Sequence, residues 1–300
     1  MDPATTKRVV LIIATLDTKS EEVIYLIERI AENDLDALVV DNGILGEPIG
    51  IVPDISASET ALAGGSTLDE ARKKGSRGEA IEIMLRGATE ITAGLFKEGR
   101  IHGAISMGGA EGGVMAAAAM QVLPPGFPKL IITPLASGVR PFGPFIGIRD
   151  IMVMHSLVDI AGINEISRPI FDNAAAAISG MVHHYRPMEV NSANLVAITT
   201  LGTTDRALKF ILPRLEKNGY IPIIFHASGV GGQVMEDMIE RGYFCGVVDL
   251  CINELIDHLV GAAAGWGGLP RTAAMYVVDG VEMNDGTTPY AVTVKDVPVH

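Results

Sequence analysis

The chain has 300 residues, of which 48% are hydrophobic, and it carries 36 acidic residues against 23 Lys and Arg, a formal net charge of −13. That length fills one large core or two modest ones, and the apolar share excludes a disordered chain. The acidic balance excludes a nucleic-acid surface, which needs clustered cations; Cys245 and Cys251 are too few for a disulfide framework and lack the spacing of a zinc or redox site.

The N-terminal stretch MDPATTKRVVLIIATLDT holds an apolar run too short for a signal peptide or a membrane span, so a cytoplasmic protein with no membrane partner is expected. A strand is predicted from Arg8 to Ala14. The turn after it, Thr15 to Lys19, is rich in hydroxyls and precedes a helix beginning near Ser20, whose Val23, Ile24, Ile27 and Ile30 make one apolar face. Two readings of this turn stand. Asp17 or Thr18 is an N-cap with Lys19 solvated, or the turn seats an anion, with Lys19 adding charge and Asp17 accepting from a ribose hydroxyl or meeting Mg²⁺.

Ala37 to Asp41 reads as the second strand. Asp41, with Gly43 just after it, ends that strand where an acidic residue commonly meets a ribose, although Asp-Asn-Gly is also an ordinary turn. Arg77 opens a long amphipathic helix carrying Ile81, Ile83, Met84, Ala88 and Ile91. A guanidinium at a helix start opposes the dipole, so either an anionic ligand or a salt bridge explains it.

Gly103 to Met107 is the third strand, and Gly108, Gly109, Ala110, Glu111, Gly112 and Gly113 follow it before an Ala-rich helix. This turn is neither a Walker A loop nor GxGxxG. Its glycines permit a bulky ligand to approach a helix N-terminus, or else permit close packing of strand on helix. Lys129 to Pro134 is a further strand, followed by a loop from Pro134 to Arg140 suited to closing over a ligand. His155, Ser156, Asp159 and Asn164 are expected at the start of the next helix, where capping explains them without a nucleophile elbow. The apolar stretch from Ala174 to Met181 is a candidate dimer face.

A lobe boundary is read near His184 to Asn194, giving an N-terminal nucleotide-binding lobe, 1–187, and a C-terminal lobe, 188–300. Strands recur at Leu195 to Thr200, Ile221 to His226 and Gly246 to Leu250. TTLGTTDRALKFIL parallels ATLDTKSEEVIYLI, and ASGVGGQVMEDMI parallels GGAEGGVMAAAAM, which reads as an internal duplication. His226, at a strand end beside a glycine turn, is a candidate acid–base group or phosphate contact. Asp249 and Glu254 flank the next strand end without three aligned oxygens, so no metal is assigned. The fold class is α/β, two Rossmann-like lobes with mainly parallel sheets, and ligands belong outside the carboxyl ends of the strands.

TLDTK, the Arg77 helix start, SMGGAEGG, PLASG, VDIAGIN and FHASGVGGQVME together resemble the tobamovirus-resistance-protein-like ATP-binding domain family, over about residues 8 to 262. The resemblance implies two Rossmann-like subdomains, a homodimer, and ATP on Asp17, Thr18, Lys19, the loop after Asp41, Arg77 and Gly108 to Gly113; Mg²⁺ is expected only as a companion of the nucleotide. In the plant member the corresponding domain binds a viral replication protein, a partner that does not transfer. The loop Asn-Gly-Ile-Leu-Gly lacks the hydroxyl residue expected there, and the sequence departs from the family pattern beyond Gly265, where the second lobe is shortened or divergent. Three functions are compatible with this reading: an ATP-binding protein acting at a cleft between its lobes, a nucleotide-regulated protein-binding module, and a metabolic enzyme acting on a phosphorylated substrate.

Overall fold

The computed structural model describes residues 7–73, 77–136, 146–227, 230–251 and 254; the side chains of Arg77, Ala110 and Glu111, and the loop residues 137–145, lie outside the description. The chain divides into two compact units, Met1–Met188 and Glu189–His300.

In the first unit β1 (Val9–Ala14) leads to α1 (Leu16–Glu32) and β2 (Asp36–Asp41). After β2 come α2 (Ala57–Ala63), α3 (Leu68–Lys73) and α4 (Arg77–Lys97), then β3 (Gly103–Met107), α5 (Ala110–Gln121), β4 (Lys129–Thr133), β5 (Met152–His155) and α6 (Ser167–His184). The strands are parallel, in the order β2-β1-β3-β4-β5. Parallel strands are covered on both faces, which is why β1, β3 and β4 read as unbroken apolar runs. Val10 and Ile12 pack with Val23, Leu26 and Ile30 of α1 and with Phe171, Ala174 and Ile178 of α6. Leu11 and Ile13 face the other way, onto Ala88 and Leu95 of α4 and Ala116 and Met120 of α5.

The helix proposed as a dimer face is therefore a core helix. Its apolar stripe, Ala174, Ala175, Ile178 and Val182, is buried against the sheet. A second correction concerns His155: it ends β5, a half-exposed edge strand absent from the strands expected, and the following helix starts only at Ser167. The polar residues between them do cap and brace: the Asn164 carboxamide accepts from the Ile166 and Ser167 amides, and Glu22 of α1 accepts from Gly162.

The second unit contains β6 (Leu195–Thr200), α7 (Asp205–Lys217), β7 (Ile221–His226), α8 (Gly231–Glu240) and β8 (Gly246–Asp249). Its described strands are parallel in the order β7-β6-β8, which repeats the β2-β1-β3 arrangement of the first. The repetition of the glycine turns is not positional. Gly108–Gly113 follows the third strand of its unit, whereas Ala227–Gly232 follows the second.

Two glycines bring α2 and α4 into backbone contact. A β-carbon on Gly87 would stand 1.8 Å from the Thr60 carbonyl oxygen, and one on Gly64 would stand 2.1 Å from that of Ile83. Gly94, also in α4, has nothing within 4 Å of such a carbon. Chemical denaturation should therefore separate two substitutions in one helix: Gly87→Ala lowers stability by about 1–3 kcal/mol through overpacking, and Gly94→Ala raises it by about 0.5–1 kcal/mol through helix propensity.

Candidate functional site at the carboxyl end of the first sheet

Chain order reverses between β1 and β3, since β2 lies on one side of β1 and β3 on the other. At such a point two helices leave the sheet edge in opposite directions and open a crevice above the strand ends. Here those helices are α1, reached through Thr15, and α5, reached through Gly108 and Gly109.

The turn after β1 is fastened by a carboxylate from β2. The Asp41 Oδ1 accepts from the Leu16 amide at 3.0 Å and from the Gly43 amide at 2.8 Å, and the residue is 1% exposed. Burial pushes its carboxyl above the ordinary carboxylate value; the two amide hydrogen bonds oppose that shift, and the charges of Asp17 and Glu47 add to it. Asp41 thus clamps the first two strand ends through its Oδ1. Asp17 also fastens backbone, since its Oδ2 accepts from the Leu45 amide at 3.0 Å, and Ser20 Oγ accepts from the Ile49 amide at 3.0 Å. Together they hold the segment after β2 on α1. Arg72 reaches the same segment through the Ile44 and Gly46 carbonyls.

Lys19 breaks the helical geometry of α1, with φ −128° and ψ 18°, so Leu16–Thr18 forms a separate turn ahead of the helix predicted to begin near Ser20. The Lys19 ammonium donates to the Thr18 carbonyl at 3.2 Å. The Thr15 and Thr18 hydroxyls lie 3.2 Å apart, paired with each other. Thr15 caps no amide with its side chain, and Gly109, the N-cap of α5, has no side chain with which to cap. Two helix N-termini, each carrying partial positive charge, thus meet at the crevice with no cap from their own N-cap residues, and Asp41 takes only the first amide of α1.

The glycines of this turn differ in their reasons. A β-carbon on Gly108 would lie 3.3 Å from the Gly112 α-carbon, a tight packing contact. On Gly109 it would meet nothing within 4 Å, and on Gly112 it would meet only Thr15, at 3.8 Å. The structure therefore joins Thr15 and Gly112 on one side of β1 and Asp17, Asp41 and Gly43 on the other. Arg77 begins α4, but its side chain lies outside the described residues, as do those of Ala110 and Glu111.

Sequence reasoning passed over two polar residues beside these. Asn42 is 1% exposed, and neither atom of its carboxamide has a hydrogen-bond partner; the Ser106 hydroxyl, near the end of β3, is likewise buried without one. Nothing in the sequence marks them, because a buried residue without a partner is a property of the fold.

The glycine turn of the second unit is built differently. A β-carbon on Gly231 would stand 2.0 Å from the His226 carbonyl oxygen, so this glycine is required by close packing of α8 on β7. The Gly232 amide at the start of α8 donates to Glu254 Oε1 at 3.3 Å, and Asp249 accepts from the Thr199 hydroxyl. His226 ends β7 with an exposed side chain. Among the described residues no group of three or more His, Cys, Asp or Glu side chains is placed to hold a metal ion, and no helix is long and apolar enough to cross a membrane.

The clamp makes a testable demand. Asp41→Ala, which leaves the Leu16 and Gly43 amides buried without an acceptor, should cost about 2 kcal/mol or more in urea unfolding. Asp41→Asn keeps an acceptor and removes the titration. Because the folded-state pKa of Asp41 is raised, its contribution is full at low pH and declines as pH rises through the folded value. The stability lead of the wild type over Asp41→Asn should therefore narrow as pH rises just above the ordinary carboxylate range, and a lead that widened would contradict the assignment.

The N-terminal domain of the uncharacterised protein family UPF0261 matches residues 8–187, and the C-terminal domain of the same family matches residues 193–276. A UPF0261 protein of Clostridium tetani is 38% identical over 280 residues, covering 90% of this chain and 69% of the relative. One from Brucella suis is 32% identical, covering 91% and 68%. The tomato ToMV resistance protein Tm-1 is 36% identical over 190 residues, 62% of this chain and 25% of the plant protein. The chain thus spans about two thirds of the bacterial relatives and a quarter of the tomato protein. Among solved structures, the UDP-GlcNAc 2-epimerase of Methanocaldococcus jannaschii is 11% identical with a TM-score of 0.29, over 81% of this chain and 73% of that one, a likeness too slight to bear on function. Both family domains are matched in order, and the chain belongs to the uncharacterised protein family UPF0261.

Proposed function

We propose that the first unit binds a phosphorylated small molecule, ATP with its Mg²⁺ in the reading that the sequence resemblance favours, across the N-termini of α1 and α5. The observation that carries this is the pair of helix N-termini at the β1/β3 crossing whose N-cap residues, Thr15 and Gly109, make no side-chain cap, with nothing within 4 Å of a β-carbon on Gly109 and only Thr15 near one on Gly112. Backbone amides at a helix N-terminus are a ready seat for phosphate, and glycine permits its close approach. The Thr15 and Thr18 hydroxyls and the Lys19 ammonium stand on the same turn and supply further donors. Mg²⁺ would arrive with the nucleotide, its charge met by phosphate oxygens more than by protein carboxylates.

Both nearby carboxylates accept from backbone amides. That commitment favours a site that holds its ligand over one that activates water, and so favours a nucleotide-regulated module as the second reading. Homodimerisation and a cytoplasmic setting belong to the same proposal; the two free thiols, Cys245 and Cys251, suit a reducing compartment.

Gly109 provides the decisive substitution. Its backbone, at φ −73° and ψ −156°, is extended, and a β-carbon there would meet nothing within 4 Å. Calorimetric titration with Mg-ATP should show binding by the wild type, loss of about tenfold or more in affinity in Gly109→Val, and weakening in Lys19→Ala, with unfolding midpoints unchanged. Equal binding by wild type and Gly109→Val would remove the ligand from this crevice.

A further inference from the structure

The amino ends of β1 and β3, at the opposite end of the strands from the crevice, are joined by a bond that only a neutral histidine makes. The Val9 amide donates to Nδ1 of the partly buried His102 at 3.1 Å, and the His102 amide donates to the Val9 carbonyl at 2.8 Å. Regular pairing of the two strands starts one residue further on, at Val10 and Gly103. The imidazole thus supplies the acceptor for the first amide of β1. A neutral ring accepts at one nitrogen, whereas a protonated ring carries N–H at both and accepts at neither. Protonation of His102 sets two donors against each other.

The same corner holds the end of α6. Arg8, which precedes Val9, donates from its guanidinium to the Val182 carbonyl and, at 3.4 Å, to the His183 carbonyl. Both carbonyls lie in the last helical turn, where none has a partner within the helix. α6 ends at His184, and the first unit ends at Met188. Arg8 therefore fixes the segment from which the chain leaves for the second unit. His183 adds its own tie, Nε2 to the Asn33 carbonyl at 2.8 Å; the carbonyl can only accept, so protonation of His183 keeps that bond.

Burial pushes the His102 imidazole below the ordinary histidine value, and the Arg8 charge adds to that. The other cations on the elements meeting here have acids of their own: Lys7 pairs with Asp34 at 3.0 Å, Arg100 with Glu98 at 3.5 Å, and Lys129 of β4 with Asp150 at 2.9 Å. Asp36 stands opposite Val9 on the β2 side, and His184 is exposed. We infer that His102 is an acid-sensitive latch at the root of the connection between the two units: its protonation breaks the Val9 bond, frees the start of β1 from β3, and loosens the hold of Arg8 on the last turn of α6. Because the folded-state pKa is lowered, the latch is whole above the ordinary histidine value and is lost as pH falls through that value towards the folded one.

The test is amide hydrogen exchange on the full chain at about pH 7.5 and about pH 5.5, on either side of the ordinary histidine range, with rates expressed as protection so that the intrinsic pH dependence drops out. The proteins are the wild type and His102→Asn, whose side-chain oxygen takes the place of Nδ1 without titrating. In the wild type, protection of Val9 and of Val182 to Tyr185 is expected to fall by about tenfold on acidification, while Leu130 to Ile132 of β4 hold theirs. In His102→Asn the same amides should keep their protection. No fall in the wild type, or an equal fall in both proteins, would overturn the latch; a fall at Val9 alone would overturn its reach to α6. Nitrogen-15 shifts of the wild-type His102 ring give a reading that needs no variant. A proton on Nε2 alone at the higher pH, with a midpoint below the ordinary value, is the expected result, and a proton on Nδ1 or a midpoint at or above that value would overturn it.

Discussion

The Asp41 carboxylate ties the ends of the first two strands together, and the carboxyl edge of the first sheet depends on it. One oxygen accepts the Leu16 amide, which starts α1, and the Gly43 amide, which turns the chain out of β2. Without it two buried donors would face an apolar core, so the turn after β1 would have no fixed place from which to present Thr15 and Thr18. Burial makes ionisation of this acid harder, and the two amides offset part of that. Charge repulsion from Asp17 and Glu47 works against it as well, which is a cost that the clamp must outweigh.

The two glycine turns show how similar sequence can serve different ends. In the second unit, Gly231 lies under the His226 carbonyl, where any side chain would collide, and the Gly232 amide at the start of α8 is met by the chain's own Glu254. In the first, Gly109 and Gly112 have room, and the N-cap of α5, Gly109, has no side chain with which to cap it. Helix dipoles at both places favour an anion. One of them has a carboxylate from the protein on it, and at the other the N-cap is a bare glycine, which is what supports placing the proposed ligand at the first unit.

Seven strands were legible because buried parallel strands are apolar without alternation, and their ends fell within one residue of those observed for Gly103–Met107, Leu195–Thr200 and Ile221–His226. Met152–His155 escaped because an edge strand half exposed to solvent leaves only a short run mixed with Met and His. The turn segments of the site were legible as places where hydroxyls or glycines follow a strand. Their roles were not: Asp41 faces inward to two amides, Asp17 holds a loop, and the Ala174–Met181 stripe faces the core, and each of these depends on which neighbours the fold supplies. Asn42 carried no sign at all, since its Asp-Asn-Gly setting reads as a turn in any context.

The most direct measurement is backbone amide NMR of the isotopically labelled protein during titration with Mg-ATP. The account predicts that the amides of Asp17, Thr18, Gly109, Gly112 and Gly113 shift together and saturate with one affinity, while those of Gly231 and Gly232 stay still. Shifts confined to the second unit, or scattered without saturation, would contradict the claim that the two helix ends at the β1/β3 crossing hold the ligand.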